Sequence, residues 1–295
     1  MMKCGVIGLG AMGAGMALNL HRAGLLHRLW NRSPDKAGAL ARATGIGIAA
    51  SPRQLANDCD LIIICVSQDV DVLEVIEAIL PGISAGDIVI DCSTVSADTA
   101  RTAAARLAGR GAGFLDAPVS GGVEGAREGN LAVMAGGEAE VLERARPALQ
   151  AIAANIVLMG PTGSGQATKA VNQIMAAGIN QAVTEALAFG RAMDLDLNRV
   201  IDVVGSGAAG NWFLDHRGPS MTAGHYAPGF KLGLHHKDLE ICRQMANDTG
   251  ATSLPVIDTT LDDYGRLMAE GHADEDISAL FRLKLALFST VSESD

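Results

Sequence analysis

The sequence predicts an α/β protein in which a doubly wound sheet is followed by an all-α C-terminal domain. Three observations carry that expectation. Between Lys3 and about Met159 short β-rich runs alternate with helical segments, the pattern of βαβ units and a parallel sheet. The first run closes on three glycines spaced G-x-G-x-x-G, Gly8, Gly10 and Gly13, and a helical pattern follows at once. After Thr162 no strand pattern remains, and Ala-, Leu- and Met-rich helical stretches run nearly to the end.

Bulk properties narrow the classes further. A chain of 295 residues is long enough for two ordinary domains. Its composition, 48% apolar but only 3% aromatic, suits close-packed helices and tight turns rather than an all-β sandwich. Cys4, Cys59, Cys65, Cys92 and Cys242 are odd in number and form no C-x-x-C pair, so neither a disulfide framework nor a zinc cluster is indicated and a reducing cytoplasm fits. The longest strongly apolar run, LIIICV, falls far below the ~18 residues of a membrane span, and no cleavable leader is evident, so a soluble protein with no membrane partner is expected. Twenty-three basic against 33 acidic residues leave a net charge of −10 with no basic stripe, which argues against nucleic acid.

In chain order the strand candidates are CGVIG, HRLWN, DLIIICV, DIVIDCS, GFLDAP, LAVMAG and NIVLMG. Ser33-Pro34 and Ser51-Pro52 mark helix starts, with Ser able to cap free amides and Pro suited to the first helical position. Asp35 then stands in a first turn, where it complements the helix dipole. The Gly/Pro cluster in MGPTGSGQATKA breaks structure before a helix expected from Gly165 to Met193. The expected domains are residues 1–162, binding a dinucleotide, and residues 163–295, all-helical and serving substrate and oligomerisation.

The glycine fingerprint, with a strand before it and a helix after, points to a Rossmann-like dinucleotide site formed by Gly8, Leu9, Gly10, Ala11, Met12 and Gly13. Gly8 allows the turn, Gly10 lets backbone approach a pyrophosphate, and Gly13 permits close helix packing. About 20 residues on, where an NAD enzyme commonly has an acid, the chain has Asn31, Arg32 and Ser33. Arg32 can grip a 2′-phosphate through parallel hydrogen bonds, so NADP is the expected cofactor, with NAD possible. Val66, at the end of LIIICV, completes this part of the cofactor set.

On the helix after the boundary Lys169, Asn172, Gln173 and Asn180 share one face, while the others are mostly apolar. A buried polar stripe is costly unless its members bond one another or a ligand, which points to a site. Lys169 is the acid in that stripe, able to stabilise a developing alkoxide and protonate it, with Asn172 one turn away as its positioning partner. Ligands of open α/β sheets gather beyond the strands' carboxyl ends, here IDCST and DAPVSGG. Ser120, Gly121 and Gly122 offer a hydroxyl and unshielded amides to a carboxylate. In PGFKLGLHHKDLEI, Lys237 is expected to open a helix and reach cofactor or substrate. His235 and His236 are adjacent rather than at i and i+4, so no metal pair is expected.

Four segments in order, GLGAMGAGMALNLHRAG, DAPVSGGVEGAREGNLAVMAGG, GSGQATKAVNQ and PGFKLGLHHKDL, resemble the β-hydroxyacid dehydrogenase family over nearly the whole chain. That family includes 3-hydroxyisobutyrate dehydrogenases and tartronate semialdehyde reductases. The resemblance implies Lys169 as the catalytic lysine, Ser120, Gly121, Gly122 and Asn172 as substrate-binding positions, Thr94 and Lys237 as cofactor contacts, and Phe230 as an aromatic lining the site. Gln173 stands where many members have a second asparagine, and is kept in the substrate set. DAPVSGG and PGFKLGLHHKDL look closest to tartronate semialdehyde reductases, whereas Asn31-Arg32 resembles the NADP-using semialdehyde reductase branch, so the subfamily pointers differ.

The expected function is therefore NADP-dependent reduction of a small semialdehyde acid of the tartronate, succinic or methylmalonate type, or the reverse oxidation. The alternatives are a non-catalytic NADP-binding module and an imine reductase-like enzyme of the same fold. A small carboxylic acid and a homodimer or homotetramer are the expected partners.

Overall fold

Each short apolar run of the first half becomes a strand in the computed structural model, which describes residues 2–288. The order is β1 (Cys4–Ile7), α1 (Ala11–Arg22), β2 (Leu26–Trp30), α2 (Pro34–Thr44), α3 (Pro52–Asp58), β3 (Leu61–Ile64), α4 (Asp69–Ile79), β4 (Ile88–Asp91) and α5 (Ala97–Ala108). It continues with β5 (Gly113–Asp116), β6 (Val119–Ser120), α6 (Gly122–Glu128), β7 (Leu131–Gly137), α7 (Ala139–Ile152) and β8 (Ala153–Gly160). The two-residue β6 was not expected: VS is too short to show a period.

The strands lie in the order β2-β1-β3-β4-β5-β7-β6, with β8 also paired to β7. From β2 to β5 all pairs are parallel, but β7 runs antiparallel to β5 and β6, so the sheet is mixed rather than wholly parallel. Helices cover both faces of the parallel part, which is why its strands read as continuous apolar runs rather than alternating ones. Leu61 and Ile63 of β3 pack into one core, and Ile62 and Ile64 into the other. Ile7, Ile64, Asp91 and Asp116 stand in register across four strands, so the loops that leave their carboxyl ends start level at one edge.

Both Ser-Pro sequences start helices, but only one serine caps by its side chain. Ser51 Oγ accepts from the Gln54 amide at 3.2 Å, whereas Ser33 occupies the cap position of α2 without a side-chain hydrogen bond. Asp35 lies in the first turn of α2.

After β8 come α8 (Ser164–Ala192), α9 (Leu197–Gly205), α10 (Trp212–Thr222), α11 (Leu232–Asp248), α12 (Pro255–Ala269) and α13 (Phe281–Ala286). By backbone contacts the chain divides into the units Met1–Lys169 and Ala170–Asp295. The second unit has its own core around the buried Leu187, Leu239, Tyr264 and Phe281. Asn180, from the polar stripe, belongs to this core: its Nδ2 donates to the Tyr264 hydroxyl and to the Ile277 carbonyl, each at 2.9 Å. Its place in the stripe is accounted for by helix packing.

Candidate active site

The glycine loop is shaped by crowding on one side and openness on the other. Gly8 has φ +92°, and a Cβ there would lie 2.2 Å from the Cys65 carbonyl oxygen, so only glycine fits. A Cβ on Gly13 would stand 1.9 Å from the Gly8 carbonyl oxygen, and one on Gly15 would stand 2.8 Å from the backbone of Ala126. Gly13 thus packs α1 onto its own turn, and helix-on-helix packing against α6 falls to Gly15. A Cβ on Gly10, by contrast, would meet nothing. Gly10 caps α1 with no side-chain bond, and the first turn, with Ala11 and Met12, holds no acid. An open helix N-terminus of this kind fits a pyrophosphate, which its amides and dipole would hold.

Asn31 secures the loop from the end of β2. Its Oδ1 accepts the Leu9 amide at 2.8 Å, and its Nδ2 donates to the Ser33 carbonyl at 3.0 Å. Beside it the Arg32 side chain is 77% exposed and pairs through Nη1 with Asp71 Oδ1 at 2.8 Å, Asp71 being only 15% exposed in the first turn of α4.

At the level carboxyl ends of the strands lies a buried polar network. The Val66 amide donates to Ser93 Oγ at 2.9 Å, and the Ser93 amide donates to Asp91 Oδ1 at 3.0 Å. Asp91 is fully buried and its Oδ2 has no hydrogen-bond partner. Burial pushes its carboxyl up to about 7, the charges of Asp116 and Asp69 act in the same direction, and the Ser93 bonds oppose them. Asp116 is also buried and raised by burial, but it accepts the Gly163 amide at 2.8 Å and the Gln166 amide at 3.0 Å. It therefore caps α8, whose approach to the sheet requires Gly165: a Cβ there would stand 2.3 Å from the Asp116 carbonyl oxygen.

On the first turns of α8, Gln166 spans residues 93–95 through its side-chain amide, accepting from the Val95 amide at 3.2 Å and donating to the Ser93 carbonyl at 2.8 Å. One turn on, Lys169 is 8% exposed, and its Nζ donates to the Val119 carbonyl at 2.9 Å. That carbonyl directly precedes Ser120, Gly121 and Gly122, and the two glycines have φ of +132° and +64°. The structure thus brings Lys169 to the Ser120 turn, with Thr94 between the two residues that Gln166 holds.

The second unit carries the remaining predicted residues. Asn172 Nδ2 donates to Gln173 Oε1 at 2.8 Å, and Gln173 Nε2 donates to Asp238 Oδ2 at 2.6 Å. Asp238 is buried and also pairs with Lys237 Nζ at 2.8 Å. Lys237 does not open its helix: α11 begins at Leu232, so the lysine sits in the second turn. His235 is buried, 3.0 Å from the Tyr264 hydroxyl through Nδ1 and 3.2 Å from the Gln173 carbonyl through Nε2. Both ring nitrogens of His235 thus have partners within the core of the second unit. Phe230 lies 5.1 Å from the His235 ring, and its amide donates to the buried Asp276 at 3.0 Å. Among the described residues no group of His, Cys, Asp and Glu has the form of a metal site.

Sequence reasoning missed Asp71, Asp91, Gln166, Asp238 and Asp276. For Gln166 a signal was present, since it stands three residues before Lys169 on the same helical face, and Asp238 directly follows Lys237. The others depend on long-range contacts that a local pattern does not carry.

Residues 3–160 match the NAD-binding domain of 6-phosphogluconate dehydrogenase, and residues 163–284 match the NAD-binding family of NADP-dependent 3-hydroxyisobutyrate dehydrogenase. The 2-hydroxy-3-oxopropionate reductase of Escherichia coli is 36% identical over 282 residues, covering 95% of this chain and 96% of its own. An NAD-dependent L-serine dehydrogenase of Pseudomonas aeruginosa is 35% identical, covering 96% of this chain and 98% of its own. A solved 3-hydroxyisobutyrate dehydrogenase of Mycobacterium tuberculosis with L-serine superposes with a TM-score of 0.86 at 32% identity, covering 96% of this chain and 99% of its own. The chain belongs to the β-hydroxyacid dehydrogenase family, NAD(P)-dependent oxidoreductases that act on CH–OH groups.

Proposed function

We propose that the protein reduces a short semialdehyde acid of the tartronate, succinic or methylmalonate type with NADPH, or oxidises the corresponding hydroxy acid, with Lys169 as general acid and base. The observation that carries this is the buried ammonium of Lys169 held 2.9 Å from the carbonyl that precedes Ser120. The hydride comes from the reduced nicotinamide when it is bound. Lys169 donates an Nζ proton to the substrate's carbonyl oxygen as the C–H bond forms, and the resulting amine recovers its proton from solvent. Ser120 Oγ and the amides of Gly121 and Gly122 accommodate the carboxylate, and Asn172 orients the reacting end. Gly8 to Gly13 hold the pyrophosphate, Arg32 the 2′-phosphate, and Thr94, Val66 and Lys237 contact the rest of the cofactor.

A second reading is oxidation of a β-hydroxy amino acid, supported by the P. aeruginosa relative's name and by the L-serine in the M. tuberculosis structure. In this proposal residues 1–162 bind the dinucleotide, residues 163–295 serve substrate and assembly, and the protein works in the cytoplasm as a homodimer or homotetramer. A spectrophotometric screen with NADPH and NADH against glyoxylic acid and tartronic, succinic and methylmalonic semialdehydes, and in reverse against L-serine and 3-hydroxyisobutyrate, tests it. The leading reading expects turnover of a semialdehyde with NADPH. Exclusive turnover of L-serine with NAD would replace it with the second.

A further inference from the structure

Gln166 makes a pattern of contacts that neither helix stability nor core packing calls for. It is 1% exposed, its backbone amide is already satisfied by Asp116, and its side chain makes two further bonds to a different strand end. Those bonds are not to one group but to both peptides flanking Thr94: the Ser93 carbonyl at 2.8 Å and the Val95 amide at 3.2 Å. A primary amide is suited to this, because it presents one donor and one acceptor side by side, as a neighbouring strand would.

The held segment is restrained on its other sides as well. The Cys92 amide donates to the Ile64 carbonyl at 2.8 Å, Ser93 is tied to Asp91 and to Val66, and the Ser96 amide donates to Asp69 Oδ1 at 2.9 Å. The helix side is equally fixed, since Asp116 caps α8 and Gly165 presses it against the sheet. Three residues along α8 raise the chain by only about 4.5 Å, so Lys169 lies on the neighbouring turn, about 60° round the helix from Gln166. The Gln166 amide therefore bonds the segment that carries Thr94 directly to the helix turn next to Lys169.

We propose that Gln166 is a positioning residue for hydride transfer, fixing the Thr94 segment relative to the ammonium of Lys169. This rests on the reading of Thr94 as a cofactor contact and Lys169 as the proton donor. Displacements of about 1 Å between reacting groups can cost on the order of 10²-fold in rate, so loss of the clamp should act on the chemical step more than on binding. Gln166→Met keeps the length and removes both bonds. Gln166→Glu keeps the acceptor for Val95 but sets a carboxylate oxygen against the Ser93 carbonyl.

The test combines three measurements on the full-length protein. Hydrogen exchange of the 92–96 segment in the cofactor-free protein should speed up at least tenfold in Gln166→Met while the Gly8–Gly13 loop is unchanged. The Kd for NADPH, from fluorescence titration, should stay within threefold of wild type in both variants. Single-turnover reduction, with the substrate that the screen shows to be fastest, should slow at least tenfold in both variants. In Gln166→Met/Lys169→Ala it should be no more than twofold slower than in Lys169→Ala alone. Effects that multiply in the double variant, a loss of NADPH affinity as large as the loss of rate, or an unchanged single-turnover rate would each overturn the inference. If Gln166→Met does not fold, the rate and affinity of Gln166→Glu decide the question. Should Lys169→Ala itself turn over normally, it is the functional reading that fails, and the exchange result still reports on the clamp.

Discussion

At the scale of single residues, the two charges on which the proposed function rests, Lys169 and Arg32, sit in opposite environments. Lys169 is buried and has its ammonium on a carbonyl, so its side chain is oriented before any substrate arrives. Replacing it with Ala should lower kcat by at least the ~10²-fold typical of losing a positioned proton donor, with the NADPH Kd within threefold. Steady-state kinetics with fluorescence titration check this, and a variant that keeps most of its turnover removes Lys169 from the mechanism. Arg32 is exposed and shares its guanidinium with Asp71, so a 2′-phosphate read by Arg32 would be held by the edge that Asp71 leaves. A charge-assisted contact of this kind is worth about 1.4 kcal/mol or more, a factor of about ten. Arg32→Ala should therefore raise KM for NADPH at least tenfold and change KM for NADH less than twofold. Equal losses with both cofactors would mean that Arg32 shapes the β2–α2 turn rather than reading the phosphate.

At the scale of elements, the strand ends explain what was legible in the sequence and what was not. DIVIDCS reads as a strand because Ile88, Val89 and Ile90 are buried on both faces of the sheet, and buried runs leave a local signature. GQATKAVNQ shows its polar face for the same reason: a helical period is local. The division of that face into Gln166 and Lys169 on one unit and Asn180 in the core of the other is not local, because it is decided by Ser93, Val119 and Tyr264, far along the chain. Asp91 is the extreme case: its place at the end of the DIVIDCS strand is legible, but its burial beside Asp116 and Asp69 is not. Its folded pKa of about 7 lies above that of an unfolded aspartate, so between about pH 4 and 7 the folded state binds more protons than the unfolded. The contribution of Asp91 to stability must then fall as pH rises through that window, by an amount on the order of a few kcal/mol. Asp91→Asn, which keeps the acceptor for the Ser93 amide, should raise Tm over wild type by several degrees at pH 8 and by little at pH 4.5. Thermal melts of both proteins at the two pH values check it, and a Tm difference independent of pH would show that Asp91 does not titrate in this window.

At the scale of the whole molecule, the outer face of α8 bears on the proposed assembly. Val171, Met175, Ala182, Ala186 and Phe189 are exposed and recur at helical spacing, giving an apolar stripe along most of a 29-residue helix. Isolated apolar side chains on a surface need no explanation, but a continuous stripe of this length marks an interaction surface. The proposed occupant is a second copy of the chain, since a largely apolar stripe, flanked by the exposed Glu185, can be complementary to itself across a two-fold axis. Net charge works the other way: at −10 per chain, like-charge repulsion opposes association and is relieved by salt. A mass of two or four times 30.4 kDa is therefore expected from size-exclusion chromatography with light scattering, with the larger species favoured as salt is raised. Met175→Glu, which sets a carboxylate in the stripe of each copy, should shift the protein to 30.4 kDa at micromolar concentration while its far-UV circular dichroism is retained. A wild-type protein that is monomeric at every salt concentration, or a Met175→Glu variant that assembles as wild type does, would take assembly away from this face.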